Sequence, residues 1–258
     1  MGTLKEPIQI LNAKRKASDL IAFYGIESPD EIRLEDIAFD QNVKIVEGSL
    51  EGASARLVST GTSAVIRVNN EENYPFKKRF SIAHELGHFV MRHGHLLNRI
   101  CNEEDLFDWY GGSEEAQANA FAGELLLPGK ILKPYCDVDD VSFDVVREIS
   151  GKFQVSLTPT ATRFIENCPG KCALVFSQNN KIKWFKRSDD WNYFLDLGRT
   201  LEPSSVAAIF FRGDKCPQEQ IEVPGHSWVG KYAPDYLIEH TIYSKVGGYT
   251  LTILWEEI

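Results

Sequence analysis

The chain has 258 residues, 43% of them hydrophobic and 25% charged, with a net charge of −9. That is material for one large domain or two modest ones, and no run approaches the ~20 apolar residues of a membrane-spanning helix. The acidic balance disfavours direct DNA binding, which calls for a basic surface. Met1 to Leu11 has no long apolar run, which speaks against a signal peptide. Five scattered cysteines (Cys101, Cys136, Cys168, Cys172 and Cys216) read as free thiols of a cytoplasmic protein, not as a disulfide scaffold. Cys168 and Cys172 flank Pro169-Gly170 with no second pair nearby, so they are not read as a metal site.

Residues 8–24 follow a helical pattern with Ile10, Leu11, Leu20 and Ile21 on the apolar side, and residues 32–38 suggest a second short helix. Strand-period alternation marks 43–46, 55–59 and 64–68, each bounded by Gly, Ser or Asn. A helix over about 76–93 has Pro75 in its first turn and Gly94 as a left-handed cap. An irregular acidic stretch with Trp109-Tyr110-Gly111-Gly112 comes next. Ser113 can then N-cap another helix, with Glu114 and Glu115 at its positive end and Pro128 as its stop. Residues 141–166 read as two short helices joined by 151–157, a helix-turn-helix-like segment. Strands are expected at 173–177 and 181–186 around Asn179-Asn180, and at 241–245 and 249–255 around Gly247-Gly248. The shift from helices to strands puts a boundary at 168–171, giving domains 1–168 and 171–258. Lys77-Lys78-Arg79 and Lys181 to Arg187 read as a solvated helix face and a strand edge.

The chemistry lies in His84-Glu85-Leu86-Gly87-His88. Helix positions four apart share a face, so His84 and His88 can put two imidazole nitrogens on one metal. Glu85 sits about 100° further round, placed to take a proton from a metal-activated water without being a ligand. A catalytic zinc needs a third protein ligand. His93 and His95 fall five and seven residues past His88, off the metal face of a continuing helix, so neither is a natural third ligand. Glu115 supplies a carboxylate, and its i+4 neighbour Asn119 can orient a ligand histidine. Glu114 is a rival whose i+4 neighbour, Ala118, supports nothing, and Glu124 reads as structural or solvated. Alanines at 116, 118, 120 and 122 would let the two helices pack closely. His93, His95, Tyr110 and Arg79 are candidates to assist at the substrate carbonyl, and Ala64 to Val68 is the candidate edge strand for an extended substrate.

The residues 79–88, Arg79-Phe80-Ser81-Ile82-Ala83-His84-Glu85-Leu86-Gly87-His88, with His93, and the later run Glu115-Ala116-Gln117-Ala118-Asn119-Ala120-Phe121-Ala122-Gly123-Glu124-Leu125-Leu126-Leu127-Pro128 resemble the ImmA/IrrE metallopeptidases, over about residues 10–166. Gly123 departs from the Ala common there. The resemblance implies an α+β, zincin-like peptidase domain followed by a strand-rich domain. It implies one zinc per chain, held by His84, His88 and Glu115, with Glu85 as the base. It also implies a bacterial or phage regulator that cleaves a helix-turn-helix repressor. Two other readings compete: a non-cleaving antirepressor, and a helix-turn-helix DNA-binding regulator with structural zinc that would use Arg163. The aromatics of the C-terminal domain, among them Trp184, Phe185, Trp191, Tyr193, Trp228, Tyr232 and Trp255, suit either a sensor pocket or a β-rich core.

Overall fold

A computed structural model describes residues 6–93, 99–101, 112–230 and 232–257. The fold is α+β, with two sheets and two compact units. One unit comprises residues 1–131 and 150–156, the other 132–149 and 157–258. Among the described residues no helix is long and apolar enough to cross a membrane.

The first unit begins with α1 (Ile8–Phe23), whose buried stripe is Ile10, Ala13, Ala17 and Ile21. Leu11, expected inside, is exposed: one residue past Ile10 it is turned about 100° off the stripe. The small alanines instead let α1 lie close on α4 (Glu114–Leu126). After α2 (Leu34–Asp40) come β1 (Val43–Gly48), β2 (Ala55–Ser59) and β3 (Ala64–Asn69), then α3 (Pro75–Met91) and β4 (Arg99–Cys101). The strand order is β1-β3-β2-β4. β3 pairs in parallel with β1 and antiparallel with β2, so the strand expected at the edge is an interior one. Among the described residues the edges are β1 and β4. Ala64, Ile66 and Val68 of β3 alternate inward as the strand period dictates.

In the second unit an antiparallel sheet runs β6-β5-β9-β8-β7: β5 (Cys172–Gln178), β6 (Lys181–Arg187), β7 (Ile221–Pro224), β8 (Tyr236–Ser244) and β9 (Tyr249–Trp255). Asn179 and Asn180 both adopt positive φ, as a two-residue hairpin turn requires. β8 starts five residues before the expected Thr241, because it is held between β7 and β9. α7 (Leu157–Asn167) packs on β5 and β6, which is why the division between units falls before this helix and not at 168–171, where helices merely give way to strands. The division passes within α5 (Gly129–Cys136) and α6 (Phe143–Phe153). α8 (Val206–Arg212) lies against β8 and β9.

Trp191 and Trp228 are fully buried in the core of this unit with Ile182, Leu195 and Val206, so the largest aromatics fill it. Its polar hub is Glu239, at 0% exposure, which accepts hydrogen bonds from the backbone N–H of Val206 (3.0 Å) and Ala207 (2.8 Å), from Trp228 Nε1 (2.8 Å) and from Thr241 Oγ1 (2.9 Å). Arg163, the basic residue of the helix-turn-helix-like segment, is buried and ion-paired with Glu166 at 2.9 Å, so it presents no charge to a phosphate backbone.

Candidate metal centre

Two helices of the first unit build the site. α3 starts at Pro75 and ends at Met91, with Arg92 in the left-handed conformation as its cap, two residues before the expected Gly94, which lies outside the described residues. α4 is N-capped by Ser113, whose Oγ accepts from Ala116 N at 3.0 Å. His84 Nε2 and His88 Nε2 lie 3.0 Å apart, and each is 3.2 Å from Glu115 Oε2. Those spacings match the edges of a tetrahedron, about 3.3 Å for metal–ligand bonds of about 2.0–2.1 Å. The trio could hold a metal ion. Glu85, fully buried like His84 and His88, directly succeeds His84, whereas Glu115 is half-buried. Glu114, the rival ligand, is exposed, and Glu124 accepts from Ser18 Oγ (2.9 Å) and Gly129 N (3.1 Å), a structural clasp.

The hydrogen bonds behind the ligands fix which nitrogen of each ring faces the site. His84 Nδ1–H donates to Asn119 Oδ1 at 2.8 Å, leaving the Nε2 lone pair toward Glu115. His88 is set by a longer chain. Gln117 Nε2 donates to the Gly112 carbonyl (2.9 Å), which turns Gln117 Oε1 toward His93 Nε2–H (3.3 Å). His93 Nδ1 is then the acceptor for His88 Nδ1–H at 3.0 Å. Two imidazole lone pairs and a carboxylate oxygen thus converge, the arrangement a divalent cation satisfies. Burial would raise the Glu115 carboxyl, but whenever the two imidazoles also carry a proton on Nε2, hydrogen bonds from His84 and His88 and their charge hold it well below the usual carboxylate range; a metal ion would take the place of those protons.

Residues 38–164, which contain both helices, match the family model described as the IrrE N-terminal-like domain. The chain carries a domain of the ImmA/IrrE family. This is a peptidase family, and all three candidate ligands of the ImmA/IrrE domain fall inside the matched span. A solved structure described as a Mycobacterium tuberculosis transcriptional regulator has a similar fold: TM-score 0.62 at 14% identity, over 95% of this chain and 76% of that one. No curated protein matches the chain.

The remaining expected site residues of the ImmA/IrrE domain separate cleanly. His93, carried back by the left-handed turn at Arg92, touches His88 and is not a ligand. Arg79 is not among the gathered residues. Five positions before His84, it is turned about 140° from it and donates to the Ile32 carbonyl near α2. His95 and Tyr110 lie outside the described residues. Gln117 had no sequence signal, since it lies off the Glu115–Asn119 face and is reached only because His93 folds back.

Asn119→Ala is expected to weaken metal binding by about 10–100-fold, the usual effect of removing a ligand's supporting partner, as read by competition with a chromophoric chelator. Unchanged affinity would reduce Asn119 to a packing residue. The helices meet where Gly87 faces Ala118: a Cβ at Gly87 would lie 3.0 Å from Phe121 Cδ1 and 3.2 Å from both the Cα and the carbonyl oxygen of Ala118. Gly87→Val should therefore push α3 from α4, costing about 1–3 kcal/mol in thermal unfolding. Metal affinity should fall in the same variant, because the ligands sit on both sides of that contact.

Proposed function

We propose that the chain is a cytoplasmic, zinc-dependent endopeptidase that cuts one regulatory protein, with a helix-turn-helix transcriptional repressor as its substrate. The observation that carries this reading is the convergence of His84 Nε2, His88 Nε2 and Glu115 Oε2 to within 3.0–3.2 Å, beside a buried Glu85. Two histidines and one glutamate are the donor set of catalytic zinc, which leaves a coordination position open. Zinc held there supplies Lewis acidity and lowers the pKa of a water to about 7. Glu85 takes a proton from the attacking water and delivers it to the leaving amine nitrogen. Asn119, and the His93–Gln117 chain, keep the two imidazoles in the tautomer that offers Nε2. The regulatory setting draws on the transcriptional regulator of similar fold, and the burial of Arg163 favours a protein over DNA as the partner.

The test is co-expression with candidate helix-turn-helix repressors from the same genome, comparing the native chain with Glu85→Gln. Loss of intact repressor with the native chain alone, and a single cut located by mass spectrometry, is the expected result. Equal, uncut repressor in both would count against cleavage; if the two proteins nevertheless co-purify, the chain is a binding-only antirepressor.

A further inference from the structure

α6 begins in a buried stretch, with Val141, Ser142 and Phe143 all shielded from water. The first N–H groups of a helix have no partner within it and need acceptors elsewhere. Ser142 caps the helix: its Oγ accepts from Val145 N (3.5 Å) and donates to Asp140 Oδ2 (2.8 Å). The Phe143 N–H turns instead to β8 and donates to His240 Nδ1 at 3.2 Å. The two rings meet edge to face, with 5.3 Å between centroids and 83° between planes. Phe143 and His240 both belong to the second unit.

That hydrogen bond fixes the state of the histidine. A backbone N–H can only donate, so Nδ1 presents a lone pair and the ring's one proton sits on Nε2. A second proton has only Nδ1 to go to. Protonated His240 would aim an N–H at the Phe143 N–H and set its charge at the positive end of α6. We propose that His240 is a pH-operated latch, holding the first turn of α6 against β8 while neutral and releasing it on protonation. The freed N–H lies in a buried stretch, so the turn has to move before water can satisfy it. Asp140 limits the movement to that turn. Its Oδ1 accepts from Gln220 Nε2 (2.6 Å), and Gln220 Oε1 accepts from Trp255 Nε1 (2.8 Å), which ties the residues ahead of α6 to β9.

The groups around the ring decide where it titrates. Burial is the largest influence and disfavours the charged ring. Arg147 on α6 acts in the same sense, while Asp144 on α6, Asp140 ahead of it and the Gln218 backbone favour the charged form. Across the sheet His240 pairs with the uncharged Ile253 of β9. Glu239, the preceding residue of β8, points to the opposite face, where its own four donors hold it. The balance keeps His240 below the ordinary histidine value of about 6.5. The unfolded chain therefore takes up the proton first. The latch contributes in full above about pH 6.5 and is lost as the pH falls through the lowered value.

Hydrogen exchange of the Phe143 amide in the full chain, read by NMR and corrected for the intrinsic rate, tests the latch. Its protection is expected to fall about ten-fold or more between about pH 8 and about pH 5, while amides of the central strand β5 keep theirs. His240→Asn places Oδ1 near the position of Nδ1 and does not titrate, so protection should persist at both pH values. His240→Phe should lose it at both. Acid effects elsewhere in the chain are common to the native protein and His240→Asn, so the difference between them isolates the ring. The imidazole nitrogen spectrum of the native chain gives a reading that needs no variant, with the Nε2–H tautomer expected at about pH 8. An Nδ1–H tautomer there would overturn the proposal. So would equal Phe143 protection at both pH values in the native chain, or a fall in His240→Asn as large as the native one.

Discussion

Glu85→Gln should retain close to the native metal content and lose about 10²–10⁴-fold in cleavage rate, the range that general acid–base catalysis supplies. Glutamine has the shape of glutamate, so a side chain at 0% exposure is replaced without a cavity. It cannot accept a proton, and Glu85 contributes no atom to the converging trio, so the metal should stay. Glu115→Gln reverses the pattern. It removes the anionic oxygen that lies 3.2 Å from both imidazoles, and the metal should be lost first, with activity lost in consequence. Metal content by atomic emission and repressor cleavage by gel separate the two. A Glu85→Gln chain that cuts within ten-fold of the native rate would remove Glu85 from the proton transfer. A Glu115→Gln chain that still binds metal at native affinity would remove Glu115 from the ligand set.

Glu239→Ala is expected to destabilise the second unit by on the order of 4 kcal/mol. Four donors point at this carboxylate, and two of them are backbone N–H groups at the start of α8. A buried donor stranded without an acceptor costs about 1–3 kcal/mol, and release of the buried charge offsets part of the sum. Glu239→Gln keeps one acceptor oxygen and turns an NH2 toward the rest, so its loss should be about half as large. Urea unfolding monitored by tryptophan fluorescence reports on the same place, because Trp228 is both a donor to Glu239 and part of the core. A loss below about 1 kcal/mol for the alanine variant would show that the donors find other acceptors.

The centre was legible wherever its logic is local. Positions 84 and 88 must share a helical face, Ser113 must cap the helix that starts at Glu114, and Glu115 and Asn119 must point the same way. The features that escaped depend on distant contacts or on rare backbone states. Arg92 takes a left-handed conformation that glycine ordinarily fills, so Gly94 was the natural but mistaken choice of cap, and the return of His93 to His88 could not be read. The interior position of β3 results from parallel pairing with β1, a matter of topology on which alternation within a strand is silent. α8 and β7 are seven and four residues long, too short for a periodic signal, and α5 comes after a proline and contains another, Pro134. Trp191 and Trp228 read equally well as sensor or core residues until burial assigned them to the core.

Three side chains of α4 converge on the candidate metal centre: Glu115 as a candidate ligand, Gln117 through His93, and Asn119 through His84. Inserting or deleting one residue within α4 ahead of Glu115 rotates everything beyond it by about 100° and shifts it by about 1.5 Å. All three would leave together, so length changes in this helix are all-or-none, whereas substitutions at 115, 117 and 119 can be graded. Among homologous chains α4 should therefore vary in spelling but not in length.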